Sequence, residues 1–175
     1  DRGLLKNHLD EAVRRNAGII MNGDTLCLMG GRYDKRADKS GVRPEHQVNN
    51  YLQAVTEDAA NWFKPYAKNI LLIGYGNHET SIVKHTEFDP LLAVTSILNY
   101  EAGTTVQLGG YGGTIDIRVN HDPNRGMNFV VHYFHGHGGG GIISKGVIAD
   151  SRILMTTEGY DLTWMGHVHE LYYHQ

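Results

Sequence analysis

The ten residues Ile70-Leu71-Leu72-Ile73-Gly74-Tyr75-Gly76-Asn77-His78-Glu79 constrain this chain most. Four consecutive apolar residues, too few for a helix and closed by glycines, read as a fully buried strand. A tight turn then presents Asn77, His78 and Glu79 at the strand's carboxyl end. In open α/β sheets that end is where ligands bind. A carboxamide, an imidazole and a carboxylate placed there offer a metal ligand, a proton donor and a charge. Three further segments repeat the arrangement: Ile19 to Asp24, Phe129 to His137, and Leu162 to His169. Each is an apolar run ending in Asp or His, mostly beside a glycine. The pattern predicts four strand ends that converge on one metal site.

A chain of 175 residues is expected to form one domain, with about 70% of its unfolded surface buried. No apolar run approaches the roughly 20 residues of a membrane-spanning helix, so no membrane partner is expected. The single cysteine, Cys27, leaves no intrachain disulfide and points to a reducing compartment, the cytoplasm. It reads as a packing residue, since nothing near it in sequence activates a thiolate. A net charge of -3 is not the footprint of a non-specific nucleic-acid binder. Eleven histidines and 22 glycines are the compositional anomalies, and they suit metal ligation and turns that bring backbone close to a ligand.

In chain order, Leu4 to Asn16 has helical spacing at Leu5, Leu9, Ala12 and Val13, and Gly18 separates it from the strand Ile19 to Asn22. Residues 25–43 form a long irregular stretch carrying Arg32, Lys35, Arg36, Lys39 and Arg43. It is either a solvated surface loop or a phosphate-steering one. Pro44 opens a helix that runs to Phe63, where Pro65 ends it. A short helical turn is expected over Thr80 to Lys84, and a helix over Pro90 to Glu101 stopped by Gly103. Strands follow over Thr104 to Leu108, Gly113 to Asn120 and Met127 to Phe134, the last two as a hairpin with Ile115, Ile117 and Val119 on its inner face. A glycine-rich loop leads to a helix over Ile142 to Thr157, and Leu162 to Met165 is the last strand. Parallel βαβ pairing thus gives way to antiparallel pairing, as where a second sheet begins.

Singly, the candidates suit structural roles. Asp24 and Asn77 fit turns, and His78 fits an exposed loop. His167 and His169 are two apart, so in an extended segment both face one way. Glu79 either orients a histidine or caps the turn after it. His132 lies within a strand and reads as packing.

Taken together, Gly23-Asp24, Gly76-Asn77-His78-Glu79, His135-Gly136 and Gly166-His167-Val168-His169, each after an apolar strand and in this order, resemble the signature of the calcineurin-like metallophosphoesterases. The resemblance spans residues 4–170. It implies an α/β fold with a two-sheet mixed β sandwich flanked by helices, and hydrolysis of a phosphate mono- or diester by metal-activated water. It implies two divalent ions (Mn, Fe or Zn) bridged by Asp24. Asn77, His135 and His167 would complete the second ion's shell, and His169 would bind the first. His137 is the alternative to His135. His78 would not bind metal but would contact the phosphoryl oxygens or protonate the leaving group. Carboxylate, carboxamide and imidazole donors suit those metals, and an ion pair about 3.5–4 Å apart can activate water and clamp both reacting oxygens.

One departure stands out. The family opens with a strand ending Asp-X-His, and nothing like it precedes Asp24. The chain is therefore expected to be truncated at its N-terminus, and its stop soon after His169 suggests the same at the C-terminus. Two alternatives accompany the phosphoesterase reading. One is a non-catalytic remnant or scaffold holding a single ion, and the other is a nuclease of the same superfamily.

Overall fold

The strand Ile70–Gly74 forms at the centre of a parallel sheet, with a strand paired on either side. In the computed structural model, which describes residues 2–28, 42–122, 125–138 and 147–168, the order is α1 (Arg2–Arg14), β1 (Ile19–Asn22), α2 (Tyr51–Phe63), β2 (Ile70–Gly74), α3 (Asn77–Thr86), α4 (Pro90–Ala102), β3 (Gln107–Leu108), β4 (Gly112–Asp122), β5 (Arg125–Phe134), α5 (Val147–Thr156) and β6 (Leu162–Met165). Strands β1, β2 and β3 make a three-stranded parallel sheet with β2 in the middle. Strands β4, β5 and β6 make a second, in which β4 pairs antiparallel and β6 parallel to β5. The chain is thus α/β with two small sheets.

The core lies against the first sheet. Leu9 of α1, Val55, Ala59 and Phe63 of α2, Ile82 of α3, and Leu91, Val94 and Leu98 of α4 pack with Ile70 and Ile73. One expectation fails here. Leu71 is 53% exposed and lies over Gly18, so the face it shares with the fully buried Ile73 is covered only toward the strand's carboxyl end. In α1, similarly, Leu9 is buried while Leu5 and Val13 are exposed. That helix is closed by Asn16 at φ 51, with the Ala17 N–H reaching the Ala12 carbonyl at 2.8 Å, so the stop precedes Gly18.

The helix expected from Pro44 to Phe63 is broken. Pro44–His46 is a short 3-10 turn, and α2 starts at Tyr51. The break folds His46 back so that its Nε2 lies 3.4 Å from Asp58 Oδ2. In one continuous helix residues twelve apart would stand about 18 Å apart along the axis. Asp58 also accepts from Arg2 at 3.0 Å and Arg43 at 3.1 Å. Arg43, the one described member of the basic stretch, is thereby held by carboxylates; residues 29–41 lie outside the described residues. The strand expected over Thr104 to Leu108 shrinks to Gln107–Leu108.

The hairpin forms as expected, but its outer half is uncovered. Ile117 and Val119, expected on an inner face, are exposed, as are Met127 and Phe129 across from them. Only the end near the first sheet is closed, where Val131 and Tyr133 are buried and the Tyr133 hydroxyl accepts from the Gly110 N–H at 3.0 Å. The described part of the last helix is Val147–Thr156. Among the described residues no helix is long and apolar enough to cross a membrane.

Leu91 and Leu92 are neighbours on α4 with 0% and 52% of their surface exposed. Leu91→Ala should therefore lower unfolding free energy by about 2–5 kcal/mol, and Leu92→Ala by less than about 0.5 kcal/mol. Urea titration of both variants checks this.

Candidate metal centre

Parallel pairing sets strand ends side by side. Asn22 pairs with Gly74 at the carboxyl ends of β1 and β2, and Phe134 with Met165 at those of β5 and β6. One side chain joins the two corners. Asn22 is buried, and its Nδ2 donates to the Phe134 carbonyl at 3.2 Å and the Trp164 carbonyl at 3.3 Å. Four strand ends therefore deliver Asp24, Asn77, His135 and His167 to one place.

The Asp24 loop is shaped by backbone conformation. Gly23 has φ 80, and a Cβ there would overlap the His135 ring; Asp24 follows at φ 49. Aspartate tolerates the left-handed region better than most residues. On the facing segment Gly76 leaves room for Asp24, because a Cβ at Gly76 would overlap Asp24 Oδ1. That oxygen accepts the His78 N–H at 3.1 Å. Asp24 thus caps α3 from a distant part of the chain, a role the glycine at the cap position has no side chain to fill.

The helix begins at Asn77, three residues before the expected turn at Thr80, because two orphan N–H groups are satisfied. His78 N–H goes to Asp24, and Gly76 N–H to Glu79 Oε2 at 2.9 Å. Glu79 is fully buried and also accepts the Asp24 and Leu26 N–H groups at 3.2 and 2.8 Å. It caps the turn and holds the Asp24 loop, and it orients no histidine. Burial pushes its carboxyl above the usual range, while the backbone N–H bonds pull the other way.

His135 has 2% of its side chain exposed. Its Nδ1 lies 2.8 Å from the Asn22 carbonyl, and since a carbonyl only accepts, Nδ1 carries the hydrogen. Its Nε2 is turned inward, 3.2 Å from both Asp24 Oδ2 and Asn77 Oδ1. Tyr111 packs edge-on against the ring at 5.3 Å and donates its hydroxyl to the Gly136 carbonyl. His167 Nδ1 lies 2.8 Å from the same Asn77 oxygen. Ligand atoms of Asp24, His135 and His167 all lie within 4.8 Å of one another. His78 stands at the edge, with Nε2 4.0 Å from Asp24 Oδ2 and a buried Nδ1 that has no hydrogen-bond partner.

The charges respond to this proximity. Burial alone would raise the Asp24 carboxyl, but the His135 hydrogen bond, the His78 N–H and both imidazoles outweigh it and hold the pKa at about 2. Burial alone would lower His135, yet its bonds to Asp24 and the Asn22 carbonyl leave it above the ordinary 6.5.

Of the residues expected at this site, Asp24, Asn77, His135 and His167 come together and His78 adjoins them. His169 lies outside the described residues. His137, the alternative to His135, is exposed, with its ring against Phe134 at 5.9 Å. The extended segment expected around His167 is absent. The strand ends at Met165, and His167 has φ 68 at the apex of a turn closed by Val168 N–H to the Gly166 carbonyl at 2.8 Å. Such γ-turns are rare and strained. Cys27, read as packing, is exposed. Asn22 and Tyr111 were not anticipated. The available signal for Asn22 was a polar residue closing an apolar strand just before Gly23-Asp24. Comparison with known proteins gives no match: no family model, curated protein or solved structure matches the chain.

Two outcomes follow from this geometry. Gly76→Ala should displace the Asp24 carboxylate and lower affinity for Mn2+ by at least about 10-fold, read by calorimetry. The second concerns pH. His135 is raised in the folded state, so its stabilisation is complete below 6.5 and is lost as pH climbs through the folded value. Asp24 is depressed, so its contribution is present above 3.8 and is lost as pH falls through about 2. Metal-free protein should therefore lose stability above pH 6.5, while Mn2+, which competes with the His135 proton, binds more tightly there. Urea midpoints and Mn2+ titrations across that range check both signs.

Proposed function

We propose that this chain binds a divalent transition metal at the junction of its two sheets and hydrolyses a phosphate ester there. The observation that carries the reading is the meeting of one carboxylate, one carboxamide oxygen and two imidazoles from four separate strand ends. This donor set fits Mn, Fe or Zn and not an ion that prefers thiolates. The phosphate-ester substrate rests on the resemblance of the four motifs to the calcineurin-like metallophosphoesterases, whose sandwich fold and ion pair are part of the proposal.

Asp24, Asn77, His135 and His167 would hold the ion, with His169 as a further ligand. Bound there, a divalent ion supplies Lewis-acid activation of water and neutralises charge on the phosphoryl oxygens. The protein's own contribution is positional. Asn22 fixes the His135 tautomer so that Nε2 faces the ligand cluster. His78, anchored in the first turn of α3 beside Asp24, would contact the phosphoryl oxygens or donate a proton to the departing alkoxide. A nucleic-acid backbone is the less favoured substrate, given the net charge of -3 and an Arg43 already paired with Asp58.

A second reading, a domain that holds one ion without turnover, draws on the composition of the same cluster, which among the described residues contains a single carboxylate, Asp24.

Metal-stripped protein titrated with Mn2+, with bound ions counted and aryl phosphomonoesters and diesters assayed, separates these readings. Turnover that drops about 10²–10⁴-fold in His78→Ala, with Mn2+ still bound, supports the hydrolase. Ion binding without turnover supports the single-ion domain. Absence of Mn2+ binding by the wild-type chain sinks both.

A further inference from the structure

We propose that Glu79 is a positioning residue for the metal centre: its buried carboxylate locks the backbone of residues 24–26 so that Asp24 presents one fixed oxygen to the ion. This rests on the metal-binding reading above. Glu79 belongs to the first turn of α3, two residues from Asn77, and it is 0% exposed. Its two oxygens accept three N–H groups. Oε1 takes Leu26 at 2.8 Å, and Oε2 takes Gly76 at 2.9 Å and Asp24 at 3.2 Å. Among the described residues no cation pairs with it.

The loop needs such a hold. Gly23 and Asp24 are left-handed in succession, which is free for the glycine but costs the non-glycine Asp24 something that a fixed partner offsets. Among the described residues no backbone-to-backbone hydrogen bond holds residues 23–26. The Asp24 and Leu26 N–H groups instead turn inward with that of Gly76, and the protein meets all three with a carboxylate from α3. The same side chain therefore ties the β1 loop to the helix that carries Asn77 and His78. Asp24 Oδ1 is then bound to the His78 N–H, which leaves Oδ2 to face His135. Were Glu79 only a cap for α3, it would need Gly76 alone, and its bonds to Asp24 and Leu26 would serve nothing.

The test compares wild type, Glu79→Gln and Val94→Ala, each stripped of metal and titrated with Mn2+ by calorimetry. Val94→Ala is a buried truncation in α4 outside the ligand cluster, and it reports what loss of stability alone does to binding. Glu79→Gln replaces one acceptor oxygen by an NH2 group facing backbone donors. It should lower Mn2+ affinity about 10- to 100-fold, the range for partners that orient metal ligands, while Val94→Ala leaves affinity unchanged. Unaltered affinity in Glu79→Gln overturns the proposal and leaves the metal reading standing, and equal losses in both variants overturn it as well. A wild-type chain that takes up no Mn2+ overturns the metal reading itself. Should Glu79→Gln fail to fold, amide exchange in metal-free wild type decides. Protected Asp24 and Leu26 N–H groups support the lock, and exchange at the rate of an open loop overturns it.

Discussion

One amide side chain joins the two sheets at the candidate site. Asn22 ends β1 in the first sheet, yet its Nδ2 is spent on carbonyls of β5 and β6 in the second. Its own carbonyl meanwhile takes the Nδ1 hydrogen of His135. A buried amide left without these partners would cost on the order of 1–3 kcal/mol, so the junction and the histidine's orientation are enforced together. Parallel pairing within each sheet then determines which residues arrive. Asn22 stands beside Gly74 and Phe134 beside Met165, so the loops that follow all four strands start from one corner.

Left-handed backbone recurs at that corner. Gly23, Asp24, Gly136 and His167 all have positive φ, and each lies in a loop that leaves one of these strands. For the non-glycines Asp24 and His167 that conformation draws on support from the surroundings. Those surroundings are visible: Glu79 holds the backbone around Asp24, Gly76 makes way for the Asp24 carboxylate, and Tyr111 closes over His135. The polar groups satisfy one another in the metal-free protein, with the Asn77 carboxamide oxygen shared between two imidazoles. The same lone pairs that accept these bonds are the ones a cation would use.

The two sheets differ in how far they are buried. The first has helices α1 to α4 packed with it, and its core is continuous. The second is anchored at one end by Tyr133 and Asn22, and its outer hairpin presents Ile117, Val119 and Met127 outward. The anchored end is the one that bears His135 and leads to His167, so the buried part of the second sheet coincides with the part that carries ligand-type side chains.

The sequence by itself determined the elements and the chemical character of their ends. An uninterrupted apolar run marked β2, strict alternation marked β4, and helical spacing closed by Gly103 marked α4, because the period of side chains along the chain differs between strand and helix. The residue types Asp24, Asn77, His78, His135 and His167 were legible as a donor set because each follows an apolar run closed by turn residues. Tertiary structure decided what pairs across long separations. The break between Pro44 and Tyr51 brings His46 back beside Asp58, a pairing that no local pattern records. The start of α3 at Asn77 depends on Asp24 accepting the N–H of His78, 54 positions away. The choice of His135 over His137 follows from the Asn22 carbonyl, 113 positions distant. Periodicity reports which face of an element avoids water, whereas hydrogen-bond partners and cavity shape depend on neighbours that the fold alone brings into contact.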